Sequence, residues 1–562
     1  MVRDNRRIKL VLAALAVVIV MIAATILVKR YLPTSAKMSG YDYFEVDSGS
    51  DAVMAILDGT QYYDMGKYVD DRLYLLQEFV EDEINLRFYY DMESNTVLYA
   101  NSETVYTFYP DIKGYQDTKG NTFDTDYDVV KMIDGKLYID FEHVAAVSNI
   151  RYTYAKAPER VVIHTEHTET ACVNVEQSSA VRYRAGIKSK VLEKIEKGTV
   201  LEYVEKIDED WSCVITPSGY QGYIKTSAIS EVYTSVPEDT YTESYTTNLL
   251  DYKVNMAWFQ VTQAAANAYI DDYLADTSGI NTISPTWYSI ADAEGNLNSL
   301  AKAEFVQKMH NRGIQVWPLI NDFDKEIDYE ALYSSKTART TLIHNLMREA
   351  ALYGYDGYNI DFEYVKKEFA EDYLQFLREL SIACQEKNLV LSVDNYKPAS
   401  HNAHYHLEEQ AVFVDYIVIM GYDEHYSGSD AGSVASLPFV EEGIQRAVDM
   451  VPSAQVINAI PFYTRIWTES AEGTKSRAVG IQASLDNMKE NGAIALWDEE
   501  TSQYYCSYET ASGVVKIWFE EDRSLGEKMK LYKKYQLGGV AEWKLGLETP
   551  SVWSIISNGL NY

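Results

Sequence analysis

The chain has 562 residues, 47 % of them hydrophobic and 24 % charged, so it is long enough for three or four domains and apolar enough to fold. Its 84 acidic and 50 basic residues leave a formal charge of −34, which excludes nucleic acid as a partner and suits a soluble, self-repelling ectodomain. Cys172, Cys213, Cys384 and Cys506 form no C-x-x-C pair, so a zinc site is not expected; no other metal and no cofactor is expected either. Cys172 and Cys213 fall in one small β region and either pair or stay free as buried thiols.

At the N-terminus, Leu10 to Val28 form an unbroken apolar run of about 28 Å as a helix, one hydrocarbon core thick. Arg3, Arg6, Arg7 and Lys9 precede it and predict a cytoplasmic N-terminus, although Lys29 and Arg30 follow. Residues 1–30 therefore read as a cytoplasmic stub and single transmembrane anchor, with the rest of the chain extracellular. A cleaved signal peptide is the alternative, which would make the protein secreted. Residues 31–50 read as a linker.

Residues 51–166 carry an internal repeat. LYLLQEFVEDEINLRFYYD begins at Leu73 and LYIDFEHVAAVSNIRYTYA at Leu137, and Val80/Val144, Arg87/Arg151 and Tyr90/Tyr154 keep the same spacing. Each copy reads as a strand, a short helix and a hairpin. The segment resembles the duplicated α+β domain named after the N-terminus of copper amine oxidases. That resemblance implies a stalk or wall-binding module, not copper chemistry. From 167 to 233 short strands alternate with turns, and AVRYRAGIKSKVL, KGTVLEYVE, DEDWSCVIT and GYIKTSAI follow one another as in bacterial SH3 domains. This resemblance implies binding to wall peptides or glycans, against the plainer reading of a rigid spacer. Residues 234–248, almost without aliphatic side chains, read as a second linker.

From 249 to 562, eight β segments alternate with helical patterns, which predicts a (β/α)8 barrel with a small β insertion from Thr474 to Phe519 walling the cleft. The fourth segment contains Asp356-Gly357-Tyr358-Asn359-Ile360-Asp361-Phe362-Glu363. Alternation on a strand sends Asn359, Asp361 and Glu363 to one face and Tyr358, Ile360 and Phe362 to the other. Carboxylates on an inner face need partners or a chemical task, and acid/base catalysis is the usual one. Asp356 has the wrong parity to join them and reads as structural.

The barrel and this motif resemble family 18 glycoside hydrolases, whose pattern D-x-x-D-x-D-x-E appears here as D-x-x-N-x-D-x-E, closest to the spore cortex-lytic and germination subgroup. MGYD at Met420–Asp423, PFYTRIW at Pro461–Trp467 and EWKLG around Trp543 agree with it. The resemblance implies a substrate-assisted retaining mechanism, in which the substrate's 2-acetamido oxygen attacks the anomeric carbon. It makes Glu363 the general acid/base, Asp361 the group that holds the acetamide N–H, Asn359 its polar neighbour and Tyr422 a donor to the acetamide oxygen. Met420 and Trp543 would floor the sugar pocket, unless they simply pack the barrel. Asp423, Tyr463 and Arg465 would contact hydroxyls, Arg465 otherwise being an ordinary ion-pair partner. Trp258 and Trp287 either line the cleft or pack in the core. Asn359 in place of an aspartate is expected to leave Asp361 more readily ionised. The implied partner is N-acetylglucosamine-containing cell-wall glycan, or chitin less readily, cleaved at its β-1,4 bonds. A chitinase-like binding or wall-tethering protein is the competing reading.

Overall fold

A computed structural model describes residues 2–245 and 248–561, and the chain divides into two compact units. Residues 246 and 247 of the expected second linker lie outside the described residues, as do the side chains of Arg3 and Arg6.

The first unit holds residues 1–86, 110–113 and 127–242. One helix, Val2–Tyr31, contains a stretch from Arg7 to Tyr31 long and apolar enough to cross a membrane, with its side chains exposed. Beyond it, a seven-stranded sheet pairs Arg72–Leu76 antiparallel to Lys136–Asp140, the equivalent strands of the two repeat copies. Each strand runs into a short helix, Gln77–Glu83 and Phe141–Ala146. Arg72 ties the copies together by bonding the buried Asp140 at 2.5 Å. The hairpins then diverge. Arg151–Ala155 and Arg160–His164 complete this sheet, whereas the segment 87–109 belongs to the second unit. Residues 170–235 form a second seven-stranded sheet whose pairings are all antiparallel. Val173, Val181, Leu201, Val214 and Ile224 fill its core together with Met54, Ile56 and Val162 of the first sheet. Cys172 and Cys213 are free buried thiols here, as are Cys384 and Cys506 in the second unit.

The second unit is built on eight parallel strands: β1 Val254–Phe259, β2 Thr282–Ile290, β3 Leu319–Asn321, β4 Gly357–Asp361, β5 Val390–Tyr396, β6 Tyr416–Met420, β7 Val456–Pro461 and β8 Gly539–Trp543. Each pairs with the next, and β1 pairs with both β2 and β8, so the barrel closes and has no edge. Trp258, Trp317, Leu319, Tyr416, Val418 and Ile457 pack the lumen. Tyr358, Ile360 and Phe362 face the outer layer of helices, as alternation on β4 requires. The helix Lys336–Tyr353 delivers the chain to β4. Ser335 caps its start by accepting the Ala338 N–H, and Gly354, at φ 74°, ends it in a left-handed conformation that suits glycine. Asp356 then accepts the Val316 N–H at 2.8 Å and bonds His310 at 2.9 Å, which seats β4 against its neighbour.

One expectation changes at β7, and another at the segment 87–109. The strand ends at Pro461, so Tyr463 and Arg465 belong to a separate five-stranded sheet, which starts at Tyr463 instead of Thr474. The physical reason is pairing: the Phe462 N–H bonds the Trp543 carbonyl, and from Tyr463 onward the strand pairs antiparallel with Gly473–Gly480. The segment 87–109, expected within a stalk domain, is instead clamped to the barrel's helices by buried ion pairs. Arg339 bonds Asp91 at 2.8 Å with both side chains fully buried, and Glu409 accepts from Arg87 and Arg378 at 2.9 and 2.7 Å.

Candidate active site

The C-terminal ends of β3 to β6 and β8 converge on the residues of interest. Asn359 is fully buried in the lumen and uses its whole amide. Its Oδ1 accepts from Trp258 Nε1 at 2.8 Å and Ser284 Oγ at 3.1 Å, and its Nδ2 donates to Asp394 Oδ1 at 2.7 Å and Ser392 Oγ at 3.1 Å. Four bonds on one amide fix its orientation, because a carboxylate could not supply the two donors.

One step up the strand, Asp361 is buried, and its Oδ1 has no hydrogen-bond partner among the described residues. Burial holds its carboxyl well above the usual range, and the neighbouring charges of Asp394, Glu363 and Asp322 push the same way. Glu363 lies two residues beyond β4 and is half-buried. Burial raises its carboxyl, the hydrogen bond donated by the Tyr396 hydroxyl opposes this, and Asp423 adds to the rise. The backbone at Glu363 is held from below. Asp322, just past β3, accepts the Glu363 N–H at 2.8 Å on one oxygen and the Tyr364 N–H at 2.9 Å on the other. Burial pushes Asp322 up to about 7. Among the described residues, no lysine or arginine forms an ion pair with Asp322, Asp361, Glu363 or Asp394, so no cation pair offsets the rise that burial gives these carboxyls.

Other expected residues gather around this cluster. Tyr422 is half-buried beyond β6 and packs at 6.3 Å, edge to face, on Tyr463. The hydroxyl of Tyr463 donates to Asp423 Oδ1 at 2.6 Å, so the insertion sheet holds the loop after β6. Gly421 is required between Met420 and Tyr422, since a Cβ there would lie 2.7 Å from the Ala459 carbonyl oxygen. Trp543 ends β8 half-buried, edge to face with Trp258 at 5.7 Å. Met420 is almost fully buried at the end of β6, so it contributes mainly packing. Arg465 donates to Ser476 at 3.1 Å and makes no ion pair among the described residues.

Two expected contacts are corrected. Trp287 points outward, bonds Asn267 at 2.8 Å and packs on Phe305 in the helix layer, so it does not line the cleft. Trp258 does face the lumen, but at 1 % exposure it presents no free ring face and serves to orient Asn359. A third expectation loses its premise. Asn359 does not relieve Asp361 of a charged neighbour, because Asp394 brings a carboxyl from β5.

Sequence reasoning missed Asp322, Asp394 and Tyr396. Alternation along LSVDNY on β5 puts Ser392 and Asp394 on the lumen face, a signal as legible as that on β4. Tyr396 continues the same alternation at the end of β5, whereas Asp322 reaches the site from the loop after β3, whose direction no strand pattern encodes.

Residues 222–548 of the chain, more than half its length, match the family described as Glycosyl hydrolases family 18. The cortical fragment-lytic enzyme of Bacillus subtilis (strain 168) is 29 % identical over 240 residues, which cover 41 % of this chain and 56 % of that relative. The crystal structure of a chitinase from Chromobacterium violaceum ATCC 12472 superposes with a TM-score of 0.50 at 24 % identity, over 55 % of this chain and 99 % of that one. The spore cortex-lytic enzyme SleL of Bacillus cereus does so with a TM-score of 0.50 at 19 % identity, over 66 % of this chain and 90 % of that one. At such identities these structures bear on the fold alone.

Proposed function

The chain belongs to glycosyl hydrolase family 18 and is a glycoside hydrolase, and from that premise we propose that it cleaves β-1,4 bonds next to N-acetylglucosamine in peptidoglycan by a substrate-assisted, retaining route. The observation that carries the proposal is the pairing of Asp361 and Glu363 at the mouth of β4. Asp361 has a buried acceptor without a partner, and Glu363 is a raised carboxyl pinned through its own backbone.

The chemistry follows from these positions. Glu363, kept protonated by burial, donates to the glycosidic oxygen as the C1–O bond breaks. The acetamide oxygen closes on C1, and the acetamide N–H bonds Asp361, whose negative charge offsets the positive charge of the oxazolinium ion. The Tyr422 hydroxyl steadies the acetamide oxygen, and Trp543 offers its ring to the apolar face of the sugar. Glu363, now a carboxylate, takes a proton from water, which attacks C1 and opens the ring with retention.

The preference for wall glycan rests on features outside the pocket. The helix Val2–Tyr31, with basic residues at both ends, would hold the protein at the outer face of the membrane. The antiparallel sheet of residues 170–235, with its SH3-like sequence pattern, and the repeated α+β segment would engage the wall. The experiment is to incubate the chain lacking residues 1–30 with purified peptidoglycan and with chitooligosaccharides and to measure new reducing ends. Release from peptidoglycan that disappears in Glu363→Gln supports the proposal. Release from chitooligosaccharides alone overturns the substrate, and release that survives Glu363→Gln overturns the assignment of the acid.

A further inference from the structure

The buried carboxyl of Asp394 has no assigned role, and its position gives it one. In the β4–β5 register, Asn359 lies opposite Ser392 and Ile360 opposite Val393. The next step in the same register sets Asp361 beside Asp394. Alternation points both side chains into the lumen, on strands about 4.8 Å apart. Asn359 bridges to Asp394 at 2.7 Å and, through its other end, is held by Trp258 and Ser284. Asp394 is 3 % exposed.

We propose that Asp394 is the positioning partner of Asp361: the two carboxyls hold one proton between them, and Asp394 takes it when Asp361 ionises to receive the substrate's acetamide N–H. This deepens the proposed function and rests on it. The proton balance is closed. Before substrate, Asp361 carries the proton and Asp394 the charge. With substrate bound, the proton sits on Asp394 and Asp361 is the carboxylate. The pair stays at one negative charge throughout, so ionising Asp361 brings no second charge into the lumen.

The surroundings favour this division. Burial raises both carboxyls, but on Asp394 the amide hydrogen bond from Asn359 opposes the rise, while Asp361 Oδ1 has no donor until substrate brings one. The other titratable groups facing the pair are Asp322 past β3, Glu363 past β4, Tyr396 at the end of β5, Tyr422 past β6, and Tyr373 and Tyr405 from the outer layer. None of them is cationic. Two adjacent buried carboxyls without a cation do not both ionise. The chain thus carries on β5 the acid that the related pattern places at position 359 on β4.

The test compares the pH profile of kcat/KM for the parent, Asp394→Asn and the transposed pair Asn359→Asp with Asp394→Asn. Removing Asp394 takes away the site that holds the pair's charge, so Asp361 must ionise alone in the buried lumen and the acid limb should move up by about one pH unit. The transposed pair should bring the limb back to within about 0.3 units of the parent, because a carboxyl again adjoins Asp361. The transposed pair keeps the carboxyl–amide bond with its direction reversed, so it decides the question even where the single variant fails to fold. An unmoved limb in Asp394→Asn overturns the proposal, as does a transposed pair whose limb departs from the parent's. Infrared titration of the carboxyl band that Asp361→Asn deletes reads the same shift without turnover. It separates failure of this inference from failure of the hydrolase reading: a parent that releases no reducing ends sinks the latter, and an unshifted Asp361 band sinks the former.

Discussion

Replacing Asp322 with asparagine should reverse its effect on stability as pH rises. Burial lifts this carboxyl from 3.8 to about 7, with Glu363 adding to the rise and the two backbone N–H groups opposing it. Because the folded value lies above the unfolded one, the stabilisation is complete below about pH 4 and is lost as pH rises toward about 7. Some three pH units at 1.36 kcal/mol each make about 4 kcal/mol lost across that window. Asparagine cannot ionise, so it removes the slope. Its single acceptor oxygen releases one of the N–H groups of Glu363 and Tyr364, which costs about 1 kcal/mol at every pH. Asp322→Asn should therefore be about 1 kcal/mol less stable than the parent at pH 4 and about 3 kcal/mol more stable at pH 8. Urea unfolding followed by tryptophan fluorescence is the assay, since eight of the nine tryptophans lie beyond residue 249. A stability difference that stays constant between pH 4 and 8 would refute the reasoning. Activity should fall about tenfold at all pH values, because the Glu363 backbone loses part of its anchor.

Three further outcomes are expected. Tyr396→Phe removes the hydroxyl that stabilises the Glu363 carboxylate, so the alkaline limb of kcat/KM should rise by about one pH unit; a limb that stays or falls contradicts the bond. Glu409→Gln strips the buried anion shared by Arg87 and Arg378 and should cost about 3–5 kcal/mol in urea unfolding, whereas a loss under 1 kcal/mol would mean the two guanidinium groups find water. Trp543→Ala should raise KM for chitooligosaccharides about tenfold and leave the fold intact by circular dichroism, and an unchanged KM would return Trp543 to simple packing.

The barrel was legible because its signal is local and periodic. Short apolar strands alternate with helical patterns from 249 onward, and one motif on β4 carries its own polarity code. Asn359, Asp361, Glu363 and Tyr422 come together as the order of strand ends dictates. Tyr463 and Arg465 show where that reasoning stopped. PFYTRIW continues an apolar strand in sequence, yet its backbone partners after Phe462 lie in the insertion. Pairing is a long-range choice that propensity does not encode. Trp287 was uncertain for a related reason: β2 shifts register between Thr286 and Tyr288, and such a shift changes which face a side chain takes.

By itself the sequence determined the parallel barrel, the two acids at the mouth of β4 and the apolar N-terminal helix, because each follows from residue order along one segment. Tertiary structure alone decided the environment of that D-x-x-N-x-D-x-E stretch. Asp394 and Tyr396 arrive from the neighbouring strand and Asp322 from the loop after β3, and among the described residues no lysine or arginine pairs with them. A carboxyl's ionisation depends on how much water it has lost and which charges stand within a few ångströms, and both are properties of the packed chain.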